Sequence, residues 1–177
     1  MTKINNEFPT TSYNDILSKH YFLKVAKEII EISNLENEKT ILDYGCGEKI
    51  FSKLLFKPKI FNYDIKPEYN EVSNVKDCFK SDIIIFNHVW MYISQNEIER
   101  ILSDIKESNK NAKIILSMGK QNMISKILMI LAGEPKAHDN IISTYNEQLQ
   151  IFKKFCKILK IKKNIYYMTD IYLGEFL

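Results

Sequence analysis

The sequence predicts an α/β fold: a doubly wound, mostly parallel sheet with helices on both faces and a C-terminal antiparallel hairpin. Three observations predict it. Short apolar runs alternate with segments of helical period through most of the 177 residues, the pattern of strand–helix–strand units. The clearest run, "DIIIFNHVW", is continuous rather than alternating, as a strand covered on both faces requires. The final stretch, "IKKNIYYMTDIYLGEF", reads as strand, Thr169–Asp170 turn, strand, which adds the hairpin.

Each element follows in order. Ser12 and Asp15 give a helix start signal, and Phe22, Val25, Ala26, Ile29 and Ile30 recur at helical spacing. "KTILDYG" is a short buried strand. Gly45 and Gly47 follow, and Ile50, Phe51, Leu54 and Leu55 place a helix directly after them. "KIFNYD" is a second strand that ends on Asp64. Residues 65–80, "IKPEYNEVSNVKDCFK", have no clear period; one short strand near Val75 is expected. "DIIIFNHVW" is the third clear strand. Ser94 and Glu97 make a capping box for a helix with the stripe Ile98, Ile101, Leu102 and Ile105. "AKIILSM" is the next buried strand, and "QNMISKILMILAG" is a short helix ended by Gly133. Thr144 and Glu147 make a second capping box, for a helix bearing Leu149, Phe152, Phe155, Cys156 and Leu159. Residues 1–12 read as a tail and 13–177 as a single domain, with no repeat, linker or composition break.

Composition narrows the classes. Hydrophobic residues make up 45% and charged residues 27%, a globular balance. A net charge of +3 is too small to argue for nucleic acid or membrane. The lysines at 153, 154, 157, 160, 162 and 163 read as a solvated face, since no aromatic RNA motif accompanies them. Cys46, Cys78 and Cys156 form no C-x-x-C pair, so neither a zinc ribbon nor a disulfide framework is expected, and no metal site. Reduced thiols and an N-terminus without an apolar core point to a cytoplasmic protein. The longest nearly apolar run is too short to span a bilayer. Oligomeric state stays open.

In a doubly wound sheet, ligands bind outside the carboxyl ends of the strands. The residues to watch are therefore 43–48, Asp64, 87–92 and Ser117 onward. Gly45 and Gly47 let the backbone turn tightly and let a ligand approach it. Asp64 closes the next strand, 17 residues after Gly47, where a carboxylate accepts both hydroxyls of a ribose. A dinucleotide fingerprint would want Gly or Ala at position 50, which is Ile50. No P-loop pattern is present.

An apolar run, Asp43, Gly45-Cys46-Gly47 and an acid at the end of the following strand together resemble the class I S-adenosylmethionine-dependent methyltransferases, which are Rossmann-like. "SDIIIFNHVWMYIS" is similar to that family's fourth-strand motif. "AHDNIISTYNEQLQIFKKF" resembles a segment of its small-molecule branch, often called methyltransferase type 11. The resemblance covers roughly residues 13–177 and implies a set of roles. Asp43, Gly45, Cys46 and Gly47 would line the methionine end of S-adenosylmethionine. Asp64 would hold the ribose hydroxyls, and Ile65 would pack on the adenine. Asp77 would be the acid near the adenine amine. Asn87 and His88 would sit beside the activated methyl. Lys49 stands where the family usually has its next glycine. A lysine there needs φ below zero and a stem that clears the ligand.

The implied function is methyl transfer to a small-molecule acceptor. His88 is the candidate catalytic base; a capping or hydrogen-bonding histidine is the alternative. Tyr92, His138 and Asp139 are the candidate substrate-binding residues. Against them stand a surface turn for the latter two and a core role for Tyr92 and Trp90. Met118, Met123 and Met129 with their Ile and Leu neighbours read as plain packing, with a lid or shallow membrane contact as alternatives. Lys49 keeps open a non-catalytic Rossmann-like binding or partner protein. A nicotinamide-dependent oxidoreductase is the weaker competitor.

Overall fold

The computed structural model describes residues 16–131 and 140–177. Strand β3 (Ile83–Asn87) shows how the sequence builds the sheet. Ile83 and Ile85 enter one apolar layer, and Ile84 and Phe86 enter the other. Successive side chains of a strand point to opposite faces. A strand covered on both sides therefore needs an unbroken apolar run.

The first layer is closed by α1 (Ile16–Ser33) and the short α2 (Ile50–Leu54). Val25, Ala26 and Ile29 of α1 and Phe51 of α2 are buried there against Ile41, Ile83 and Ile115. The second layer is closed by α3 (Gln95–Ser108) and α5 (Tyr145–Phe155), which bury Ile98, Ile101, Ile105 and Phe152. Between them lies a six-stranded sheet. Its other strands are β1 (Thr40–Tyr44), β2 (Lys59–Tyr63), β4 (Lys113–Gly119), β5 (Cys156–Ile165) and β6 (Thr169–Phe176). The order is β2-β1-β3-β4-β6-β5. The first four are parallel; β6 runs antiparallel to β4 and to β5. This is the doubly wound sheet with a terminal hairpin that the sequence predicts. Among the described residues no helix is long and apolar enough to cross a membrane.

Several details depart from the sequence expectation. The segment near Val75 is a single 3-10 turn, Val75–Cys78, capped by the Asn74 side chain, and not a strand. The helix after Thr144 stops at Phe155; Cys156 and Leu159 belong to β5. Cys156 keeps an apolar environment either way, so hydrophobicity alone did not mark the change of backbone. The hairpin turn is made by residues 166–168, not by Thr169–Asp170. Tyr166 and Tyr167 both adopt positive φ, 50° and 59°, a geometry unusual for bulky residues. Thr169 and Asp170 instead begin β6. The capping box at Thr144 and Glu147 is complete. At Ser94 it is half made, because the Glu97 carboxylate turns to Arg100 at 2.5 and 2.9 Å. The helix start at Ser12 and Asp15 and the stop at Gly133 lie outside the described residues.

Candidate functional site

The strand order reverses at β1. From β1 the chain goes to β2 on one side and then returns to β3 on the other. Loops leaving β1 and β3 therefore part in opposite directions, and a crevice opens between their carboxyl ends. The glycine turn sits there. Gly45 N–H and Cys46 N–H both donate to the Tyr63 carbonyl at the end of β2, at 2.7 and 3.0 Å. Gly45 has φ 79°, and a Cβ on it would lie 2.3 Å from a Val89 methyl. No side chain is tolerated there, because the loop after β3 presses on the turn. Gly47, at φ 45°, would find no atom within 4 Å of an added Cβ. Its side of the turn is open.

Two carboxylates flank this opening. Asp43 is the last buried residue of β1, and its Oδ2 has no hydrogen-bond partner among the described residues. Burial first, and the Asp64 charge second, push its carboxyl up to about 8. Asp64 follows β2. It accepts the Gly47 N–H on Oδ2 at 3.0 Å and the Lys66 N–H on Oδ1 at 2.9 Å. The acid thus pins the open glycine. Cys46 is buried, with Sγ 3.5 Å from the Tyr69 carbonyl, and burial pushes its thiol up. Ile65, beside Asp64, is exposed.

Lys49 does not take the φ below zero that its sequence position suggested. It sits at φ 54° in the left-handed region, as N-cap of α2. Its stem clears the turn by swinging to Glu71, with Nζ 2.7 Å from Oε1. Glu71 Oε2 in turn accepts from Asn62 Nδ2 at 2.6 Å. The chain keeps the backbone shape a glycine would give and stores the side chain in an ion pair across the loop.

The end of β3 supplies the rest. Asn87 Oδ1 accepts the hydroxyl of buried Ser117 at 2.5 Å. Ser117 Oγ and the Ser117 carbonyl both accept from the His88 N–H, at 3.1 and 3.2 Å. His88 stands at φ 60°, so its imidazole leaves the strand direction. Its Nε2 lies 3.2 Å from Thr169 Oγ1 and 3.4 Å from Tyr21 OH. Tyr21 OH and Thr169 Oγ1 also bond each other. Phe22 packs edge-on against the ring, centroids 5.8 Å apart. Burial pushes the Tyr21 phenol up to about 12, though its bond with Thr169 works the other way.

Asp43, the glycine turn and Asp64 thus meet at one end of the crevice, and Asn87 and His88 lie at the facing end of β3. Tyr92 is half-buried in the 3-10 turn Trp90–Tyr92 after β3. Trp90 is core, with its ring between Phe86 and Phe152. Asp77 is exposed on its 3-10 turn. His138 and Asp139 lie outside the described residues. Sequence reasoning missed Tyr21 and Thr169. Thr169 was read as turn, and Tyr21 precedes the apolar stripe of α1, so neither carried a signal. A second missed cluster lies on the other face of the same edge. Buried Asp170 pairs with Lys120 Nζ at 2.8 Å and accepts from Tyr145 OH at 2.6 Å.

Known proteins share this arrangement of elements. A family model described as a methyltransferase domain matches residues 17–146. None of the curated protein sequences matches the chain. Among solved structures, the protein PH0226 from Pyrococcus horikoshii OT3 aligns with a TM-score of 0.64 at 12% identity, over 90% of this chain and 92% of its own. A SAM-dependent methyltransferase from Aquifex aeolicus aligns with a TM-score of 0.63 at 15% identity, over 86% and 89%. The magnesium protoporphyrin IX methyltransferase ChlM from Synechocystis PCC 6803, solved with bound SAH, aligns with a TM-score of 0.55 at 12% identity, over 92% and 88%. These likenesses extend the fold to nearly the whole chain. With its glycine turn at the strand-order reversal and a family match over most of its length, the chain belongs to the methyltransferase-domain family.

Proposed function

We propose that this protein is an S-adenosylmethionine-dependent methyltransferase that acts on a small-molecule acceptor in the cytoplasm. The observation that carries the reading is the unpartnered, buried Oδ2 of Asp43 beside the open side of Gly47. A buried acceptor without a donor is costly. A ligand with an ammonium group, seated on the turn, removes that cost. The residues present fit such a ligand: Asp43 for the ammonium, Gly45, Cys46 and Gly47 for the methionine backbone, Asp64 for the ribose. Each Asp64 oxygen has one backbone N–H partner, and an ionised carboxylate has about four lone-pair sites, so both retain capacity for hydroxyls. Exposed Ile65 supplies an apolar surface for the adenine.

When bound, S-adenosylmethionine supplies an activated methyl that carries its own leaving group. The chain then has mainly to align donor and acceptor. Ser117 occupies the Asn87 carbonyl, so the amide NH2 is the end left for a ligand. His88 takes the acceptor proton where the nucleophile must lose one. Tyr21 and Thr169 hold its Nε2 side, and Phe22 limits its rotation. Tyr92, His138 and Asp139 are assigned to the acceptor side.

Titration calorimetry with S-adenosylmethionine and with S-adenosylhomocysteine tests the reading. Binding of both is expected. Absence of heat from either at millimolar concentration would leave the non-catalytic alternative standing. Thermal protection by NAD but not by S-adenosylmethionine would point to a nicotinamide enzyme. Asp64→Ala should cost cofactor affinity; an unchanged affinity rejects the ribose assignment.

A further inference from the structure

Four apolar side chains of helix α4 (Met123–Leu131) face outward. Met123, Ile124, Ile127 and Ile130 are all exposed, Met123 at 76% and Ile130 at 64%. The expectation of plain packing holds for Met118, which is buried, and fails for Met123, Ile124 and Ile127. Among the described side chains of this helix, the buried one is Ser125. Its hydroxyl donates to the Asn122 carbonyl at 2.7 Å, and its N–H donates to Asn122 Oδ1 at 2.8 Å. Positions 123, 127 and 130 recur at helical spacing, so they form one stripe.

The β5–β6 turn is tied to the segment that leads into α4. Asn122 Nδ2 donates to the Tyr167 carbonyl at 2.7 Å, and Lys120 N–H to the Met168 carbonyl at 2.6 Å. The turn presents Tyr166 and Tyr167, both exposed, Tyr167 at 65%. The first turns of α1 join the same face, with His20 Nε2 3.0 Å from Tyr166 OH. Among the described residues, α4, the β5–β6 turn and residues 16–27 of α1 contain no Asp or Glu. Lys19 and Lys126 are exposed on these segments, and Lys163 is exposed near the end of β5.

Two occupants can be separated by charge. A second copy packed face to face would set the same lysines against each other, because a two-fold interface uses one patch twice. An anionic lipid surface complements them. We propose that this face docks on an anionic membrane surface. The α4 stripe enters the headgroup–acyl boundary, the tyrosines sit at headgroup level, and the lysines face the phosphates. The proposal goes beyond the methyl-transfer reading and does not depend on it.

Co-sedimentation of the full chain with vesicles tests it. The probes are phosphatidylcholine mixed equally with phosphatidylglycerol, and phosphatidylcholine alone. Binding is expected on the mixed vesicles, about tenfold or more weaker on the neutral ones, and weakened by added salt. Ile127→Glu combined with Ile130→Glu should weaken binding by about tenfold or more. Phe56→Glu, at an exposed apolar residue just before β2 at the opposite edge of the sheet, should change nothing. Thermal midpoints of both variants check folding. The proposal is overturned if neither vesicle binds, if the two vesicles bind alike, or if the double variant binds like the parent. An equal loss from Phe56→Glu also overturns it. A dimer in sedimentation equilibrium that the double variant dissociates would assign the face to a second copy.

Discussion

The buried Asp43 carboxyl makes the free protein's stability depend on pH in a defined direction. Burial and the Asp64 charge raise it from an ordinary 3.8 to about 8. The unfolded chain ionises this group near pH 4. Between about pH 4 and 8 the folded state therefore holds one more proton than the unfolded state. Stability must fall as pH rises through that window, by at most about 1.4 kcal/mol per pH unit. Below the window both states are protonated and the cost disappears. Above it the cost is constant. Asp43→Asn keeps the shape and cannot ionise. Its stability advantage over the parent should grow between pH 5 and pH 8 by at most about 4 kcal/mol, on the order of 10 °C in Tm for a chain of this size. Thermal melts of both proteins at four pH values in this range read it directly. Parallel Tm curves would refute the buried-carboxyl reasoning. Cofactor binding adds a second readout. An ammonium group beside Asp43 restores the ionised form, so binding at pH 7 should release about one proton. Calorimetry in phosphate and in Tris separates that proton from the binding heat. The same heat in both buffers would mean that Asp43 does not meet the cation.

Three further outcomes follow from the site geometry. Gly45→Ala places a Cβ 2.3 Å from Val89 at φ 79°, and should destabilise by about 2 kcal/mol or more; adding Val89→Ala should return only the steric part in denaturant melts. Lys49→Gly removes a left-handed side chain worth about 1–2 kcal/mol of strain and a part-exposed ion pair worth at most about 1 kcal/mol. Stability should thus hold or rise slightly, and a loss beyond about 1 kcal/mol would show that the Glu71 contact matters more than the backbone strain. Thr169→Val deletes the hydroxyl that lowers the Tyr21 phenol. The Tyr21 resonance in ring-labelled protein should then shift at neutral pH, and an unmoved resonance would refute the shared hydrogen bond.

The sheet was legible because burial on both faces writes itself as unbroken apolar runs. "AKIILSM" falls on β4 within a residue at each end, while "DIIIFNHVW" contains β3 but overruns it, because the strand stops at Asn87 and His88 turns away at φ 60°. The glycine turn and the acid after β2 were legible because a tight turn needs Gly45 and the pinning of Gly47 N–H needs a short carboxylate at the strand end. What failed depends on tertiary partners. Lys49 takes a backbone angle disfavoured for its residue type, and Glu71, 22 positions away, gives its side chain a place to go. Tyr21 and Thr169 reach His88 only because α1 and β6 are brought to one sheet edge, 148 positions apart in the chain. The outward stripe of α4 has the same residues as a buried stripe; only the three-dimensional neighbours decide which way it faces.

Strand β6 follows β5 in the chain but lies between β4 and β5 in the sheet. Until residues 169–176 are in place, β5 has no neighbour to pair with, and β4 has a bare edge. The order of synthesis therefore leaves a nascent chain with an open, lysine-rich strand and a histidine whose threonine partner has not yet arrived. Closure of the sheet and completion of the His88 surroundings become one event, so a chain cut before Thr169 would lose both together and expose an edge prone to pairing with other chains.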